Sequence, residues 1–181
     1  MNLYLRLLHL LLFWRFRPKL ELFEEARTPF RVWPLDLDLN GHLNNGRYLT
    51  LMDLARIDMM LRNGWARDLR RARMFPVVAG QTIRYRKSLN PFQRFEIVSD
   101  IVGWDERAFF VQQRFVARGE VVAQAVIRGV FLQRGKGRVT TAEVMAAAGV
   151  EAESPEVPRW VLDWQASDAA GWETVPAADG A

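Results

Sequence analysis

Residues 36–48 read DLDLNGHLNNGRY and set Asp38, Asn40 and His42 two positions apart, just ahead of a helix-like stretch. A helix start offers unpaired backbone N–H groups and the positive end of the dipole, which stabilise charge developing on an oxygen. A carboxylate beside such a site can attack an ester or thioester carbonyl, or activate water to do so. The same residues suit a turn: Asp, Asn and Gly favour turns, and Asn44-Asn45 can cap a helix. Both readings stand at this level. A calcium loop fits less well, because the ion needs an acidic ligand at the twelfth loop position, which counted from Asp36 is Arg47.

Scarcity narrows the other chemistries. There are no cysteines, which removes disulfides, thiolate metal sites and cysteine nucleophiles, and fits a reducing, cytoplasmic compartment. Only His9 and His42 are present, so a multi-histidine metal site is excluded and no metal is expected. The four serines, at 88, 99, 154 and 167, lie in no nucleophile elbow. The net charge of +4 comes almost entirely from arginine, since lysine occurs only at 19, 87 and 136. That suits an anionic small ligand better than nucleic acid, which needs a basic face with exposed stacking rings.

The elements that must position the loop follow from periodicity. Half of the 181 residues are apolar, enough for one domain with a real core. Residues 47–64 carry Tyr48, Met52, Ala55 and Met59 at helical spacing, with Leu51, Leu54 and Leu61 beside them. So wide a stripe predicts a helix buried over most of its girth, capped by Asn44 or Asn45 and ended at Gly64. Strand character appears at 30–33, 75–87, 93–104, 107–117 and 120–133, with turns between. A short basic helix is expected at 65–73, and a further one capped by Thr140 or Thr141. A docking helix is expected at RWVLDWQ, with Trp160, Val161 and Trp164 on one face. The predicted class is α+β: one long buried helix wrapped by a curved antiparallel sheet.

DLDLNGHLNNGRYLTLMDLAR resembles the signature of hotdog-fold thioesterases of the 4-hydroxybenzoyl-CoA thioesterase group. The pattern D-x-D-x-x-G-H-x-N-N-x-x-Y is matched at every fixed position. The loop is also similar to that of plant acyl-ACP thioesterases. Residues 83–132 resemble thioesterase-superfamily-member-6-like proteins. The resemblance implies a hotdog fold and hydrolysis of acyl-CoA thioesters without a cofactor. It implies Asp38 as the catalytic carboxylate, Asn40 and His42 as polar partners, and the Asn45 N–H as the group polarising the carbonyl. Tyr48, Arg84 and Arg86 join Asn45 as expected substrate-binding residues, with Lys87 beside them. Asp36 and Asn44 are expected to hold the loop and the helix. It further implies a homodimer or tetramer with the site at the subunit interface. One departure concerns the acyl-ACP branch: its Glu-Cys pair after Y-R-R is replaced here by Ser88-Leu89 after Tyr85-Arg86-Lys87. A CoA thioester is therefore the favoured substrate.

The expected organisation is an apolar N-terminal helix at 1–19, the hotdog domain at 20–138, a helical extension at 139–167 and a frayed tail at 168–181. The apolar run Leu10 to Trp14 is too short to span a bilayer. Flanking bases leave two readings for residues 1–17: a helix packed on the body, or peripheral contact with a membrane surface. Two other functions compete with hydrolysis: hydration of an acyl thioester by a hotdog enzyme, and non-catalytic acyl-thioester binding or scaffolding.

Overall fold

The computed structural model describes residues 3–171. Helix α1 spans Leu3–Phe13 and passes through a 3-10 turn at Trp14–Phe16. Strand β1 (Ala26–Arg31) follows, then a second 3-10 turn at Pro34–Asp36, then α2 (Asn45–Arg62) and α3 (Trp65–Arg71). The long strands are β2 (Met74–Tyr85), β3 (Arg94–Trp104), β4 (Phe109–Ala117) and β5 (Glu120–Gln133). A short β6 (Gly137–Val139), α4 (Thr141–Ala147) and α5 (Arg159–Ala170) are the last elements among the described residues.

The strands form one antiparallel sheet in the order β1-β3-β4-β5-β2, with β6 paired to β5. Consecutive strands β3, β4 and β5 are neighbours, so the sheet is a meander closed at both sides by β1 and β2. Among the described residues strand β2 bonds only to β5, which leaves its other edge unpaired there. The alternation expected in β3 and β4 is present: Phe95, Ile97, Ser99 and Ile101 are buried, as are Val111, Gln113, Phe115 and Ala117. This face curls round α2, whose Leu51, Met52, Leu54 and Ala55 are almost fully buried against it.

Helix α2 starts where the sequence predicts. The Asn44 side chain accepts the Gly46 N–H at 2.8 Å, the bond of an N-cap. It ends at Asn63 and Gly64, the latter at φ +87°, which glycine adopts without strain. Strand β1 lies earlier than expected, because Pro34 opens a 3-10 turn and the ladder to β3 runs from Ala26 to Arg31.

The sheet's other face is covered by the C-terminal extension. Phe110 and Val126 alternate with residues facing α2, and pack instead against Val161 of α5. A bulge at Gly103 lets residues 154–157 approach closely, and the Trp104 N–H donates to Ser154 Oγ at 2.8 Å. Val161 is fully buried and Trp164 half-buried, but Trp160 is turned outward, so the docking face is narrower than the sequence suggested. Helix α5 runs to Ala170, into the stretch expected to fray, and residues 172–181 lie outside the described residues.

Candidate active site

Residues 37–43 form a closed loop at the amino end of α2. Leu37 and Leu43 face each other in an antiparallel bridge. Within it the Asp38 N–H donates to the His42 carbonyl at 2.8 Å, and the Gly41 N–H donates to the Asp38 carbonyl at 3.1 Å. Gly41 completes the turn at φ +75°, a conformation that disfavours any side chain.

The loop hangs from Asp36, which is only 1% exposed. Its backbone carbonyl accepts the Asn44 N–H at 2.9 Å, tying the loop to the helix cap. Its carboxylate accepts the Trp33 N–H at 2.9 Å and Arg6 Nη2 at 2.5 Å. Arg6 comes from α1 and is itself 6% exposed, so helix α1 is fastened to the loop by a buried ion pair. Arg47, in the first turn of α2, adds a second cation at 3.9 Å from Asp36 and donates to the Leu35 carbonyl.

Asp38 differs from Asp36. It is half-buried, and one oxygen, Oδ1, accepts the backbone N–H groups of Asn40 at 2.9 Å and His42 at 3.2 Å. These bonds fix the carboxylate plane. The other oxygen, Oδ2, has no hydrogen-bond partner among the described residues. Asp38 lines a shallow depression with Leu37, Leu39, Asn40 and Asn44, the cap residue of α2. The Asn45 N–H opens that helix and lies outside its hydrogen-bond ladder. An aligned carboxylate next to an open amide is the pairing that carbonyl substitution requires.

The other expected residues divide. The His42 side chain is half-buried and Asn40 and Asn45 are exposed, all three on the loop or helix tip with side chains free of hydrogen bonds among the described residues. Tyr48 is not a surface residue: it is 2% exposed and packs between Tyr85 and Phe115, with ring centroids 4.9 and 4.8 Å away. Burial first, and Tyr85 second, push its hydroxyl up to about 12. It therefore supports the helix start from inside and presents nothing to a ligand. Arg84 and Arg86 are exposed, but strand alternation turns them away from α2, since Ile83 and Tyr85 are the residues packed inward. Lys87 pairs with Glu120. Asp38 and Asn40 thus line one depression with Asn44, His42 and Asn45 lie on the same loop and helix tip, and neither Arg84 nor Arg86 lines that depression. Arg6 and Arg47, which steady the loop, were not singled out from sequence; Arg47 lies inside the quoted motif and was the findable one.

A separate apolar cavity of about 390 Å³ lies between the second half of α2 and the sheet, walled by Met59, Met60, Trp65, Val77, Phe109 and Phe131. Met52, in the helix stripe expected to be buried, lies fully in the core and not on this cavity. Asp53 and Arg56 pair beside the cavity, and Arg56 donates to Gln113 Oε1 at 2.7 Å. Gln113 in turn donates to Ser99 Oγ at 2.9 Å and the Met52 carbonyl at 3.1 Å. Burial lowers the Arg56 pKa, while Asp53 opposes that shift.

Comparison with known proteins places this geometry in context. The family model of the thioesterase-like superfamily matches residues 32–165. Protein THEM6 of Xenopus laevis is 38% identical over 133 residues, which are 74% of this chain and 63% of that protein. Protein THEM6 of Danio rerio is 40% identical over 97 residues, 54% of this chain and 48% of that protein. The chain spans about half to two-thirds of the length of these curated relatives. Among solved structures, the YbaW probable thioesterase from Escherichia coli superimposes with a TM-score of 0.64 at 23% identity, covering 68% of this chain and 96% of that one. A 4-hydroxybenzoyl CoA thioesterase mutant complexed with 4-hydroxybenzoyl CoA superimposes with a TM-score of 0.60 at 14% identity, covering 68% and 97%. The fold is the hotdog, as the sequence predicts.

Proposed function

The chain belongs to the thioesterase-like superfamily, and on that premise we propose that it hydrolyses acyl-CoA thioesters to the free acid and CoA. One observation carries the reading: Asp38 is pinned through Oδ1 by two backbone N–H groups, which leaves Oδ2 uncommitted beside the start of α2. The thioester carbonyl oxygen accepts the Asn45 N–H, and the helix dipole stabilises the oxyanion that forms on it. Asp38 either attacks the carbonyl carbon, giving an acyl-aspartyl anhydride that water cleaves, or takes a proton from the attacking water. In both routes the C–S bond breaks and CoA leaves as a thiolate that is then protonated. His42 and Asn40 orient the substrate or the water. The apolar cavity beside α2 suits a hydrocarbon or aromatic acyl group.

A homodimer is the proposed assembly. Strand β2 has a bare edge, and its Phe75, Val77, Val78 and Tyr85 are 37–42% exposed. An unpaired edge of this length is a template for a second copy of the strand. At the loop tip Leu39 is 106% exposed, an apolar side chain that a neighbouring subunit would cover. Arg84 of β2, and Arg86 just beyond the strand, then serve the CoA phosphates only if assembly brings them to a partner's site.

The test is a panel of acyl-CoA and aryl-CoA thioesters with released thiol as the readout. Asp38→Asn lowers turnover about a hundredfold with the unfolding midpoint unchanged, and His42→Ala lowers it less. Full activity in Asp38→Asn would remove the mechanism. Single turnover in heavy-oxygen water separates the two routes, because the anhydride route can leave the label on Asp38 rather than in the product. Water addition to an enoyl-CoA would instead indicate a hydratase.

A further inference from the structure

Helix α1 is apolar on both faces, and its one arginine points inward. Its inward positions carry Arg6, Leu7 and Leu10, and Arg6 is 6% exposed. Its outward positions carry Leu5, Leu8, Leu11 and Leu12, which are 46–59% exposed, and Phe16 in the next turn is 83% exposed. A helix on a water-facing surface turns polar residues outward. A contiguous apolar patch of this kind marks a surface that something covers.

Residues 1–20 contain Arg6, Arg15, Arg17 and Lys19 and no acidic residue. Of these bases, Arg6 and Arg17 are paired with Asp36 and Asp58, which leaves Arg15 and Lys19 as exposed cations. Arg31 and Arg94 are exposed nearby and line a cleft of about 440 Å³ between α1 and β1. No helix among the described residues is long and apolar enough to cross a membrane. With 11 residues, α1 is only about half as long as a bilayer's hydrocarbon core is thick.

We infer that α1 lies in the surface of a bilayer containing anionic phospholipid. Its outward leucines and Phe16 enter the acyl boundary, and Arg15, Lys19 and Arg94 stay among the headgroups. Charge decides against a second copy of this chain as the occupant. Two α1 faces in contact would bring the exposed Arg15 and Lys19 of each copy together, whereas anionic headgroups neutralise those same bases. Position agrees: α1 packs beside β1, at the opposite side of the sheet from the bare edge of β2.

The experiment is flotation of the full chain with vesicles of phosphatidylcholine alone and of phosphatidylcholine with phosphatidylglycerol. The chain floats with the anionic vesicles, and added salt weakens the binding. Lys19→Glu and Arg94→Glu each lower the partition coefficient at least about fivefold. Leu8→Glu with Leu12→Glu abolishes flotation while leaving the circular dichroism spectrum and turnover of a water-soluble acyl-CoA unchanged. Flotation needs no turnover, so it stands or falls separately from the hydrolase reading. Failure to float with either vesicle overturns the inference, as does undiminished flotation of the doubly substituted chain. A drop in oligomer mass in that variant, without flotation of the parent, would assign the face to a second copy instead.

Discussion

Replacing Arg6 with Met removes a cation from a place where it cannot be spared. Arg6 and Asp36 are 6% and 1% exposed and 2.5 Å apart. Arg6 also donates to the Arg31 carbonyl at 3.1 Å. Methionine keeps much of the volume but leaves the Asp36 carboxylate with the Trp33 N–H at 2.9 Å and Arg47 at 3.9 Å. Breaking a buried pair by removing one partner costs about 3–5 kcal/mol, and the nearby Arg47 places the expected loss at the lower end, about 3 kcal/mol. For a chain of this size that is about 6–12 °C in melting temperature. Urea unfolding followed by tryptophan fluorescence measures it. Adding Asp36→Leu in the same chain removes the orphaned charge as well, so the double variant recovers most of the loss and a double-mutant cycle gives a coupling of about 2 kcal/mol. Turnover follows the same order, because the loop carrying Asp38 hangs from Asp36. A loss below about 0.5 kcal/mol with no coupling would refute the claim that α1 fastens the Asp38 loop.

Other expectations rest on separate features. Asn44→Ala removes the cap of α2 and costs about 1 kcal/mol in urea unfolding, with a fall in turnover because Asn45 loses its fixed position. Gly103→Ala puts a Cβ 2.6 Å from Val157 Cγ2 and 3.0 Å from the Pro155 carbonyl, at φ +145°. It costs about 1–3 kcal/mol and makes α5 more sensitive to limited proteolysis. Stability falls at alkaline pH because the folded state holds the Tyr48 proton more tightly than the unfolded chain does. The contribution is fully present below 10.0 and is lost as pH rises to about 12. Allowing for solvent screening, the loss is no more than about 2 kcal/mol, and Tyr48→Phe abolishes that slope in a pH series of unfolding midpoints.

The parts legible in the sequence were those fixed by local periodicity. The stripe of α2, the Asn44 cap and the alternation of β3 and β4 each arise within one element. What was hidden depends on contacts distant along the chain. Arg6 among leucines reads as a base beside an apolar stretch, and only its partner thirty positions away shows that it points inward. Arg17 reaches Asp58, which also accepts the Thr28 hydroxyl at 2.8 Å, and neither residue carries a local sign of it. Tyr48 falls in both the loop motif and the helix stripe, so spacing alone could not separate ligand contact from core. The loop motif sets Asp38, Asn40, His42 and Asn45 on one loop and helix tip because they are near neighbours in sequence, and their roles belong to the proposed function. Arg84 and Arg86 were assigned by nearness to a rim, and strand alternation turned them the other way.

Helix α5 limits how copies of this chain can stack. Two bare sheets can lie back to back at about 10 Å, but a helix with its side chains is itself about 10–12 Å thick. With Val161 seated on Phe110 and Val126, that spacing is already filled by the chain's own C-terminal segment. Growth by layering is closed where α5 lies, and extension sideways along β2 stays open. Trimming α5 away would therefore do more than shorten the molecule: it would bare the hydrophobic plane around Phe110 and Val126 and invite clumping.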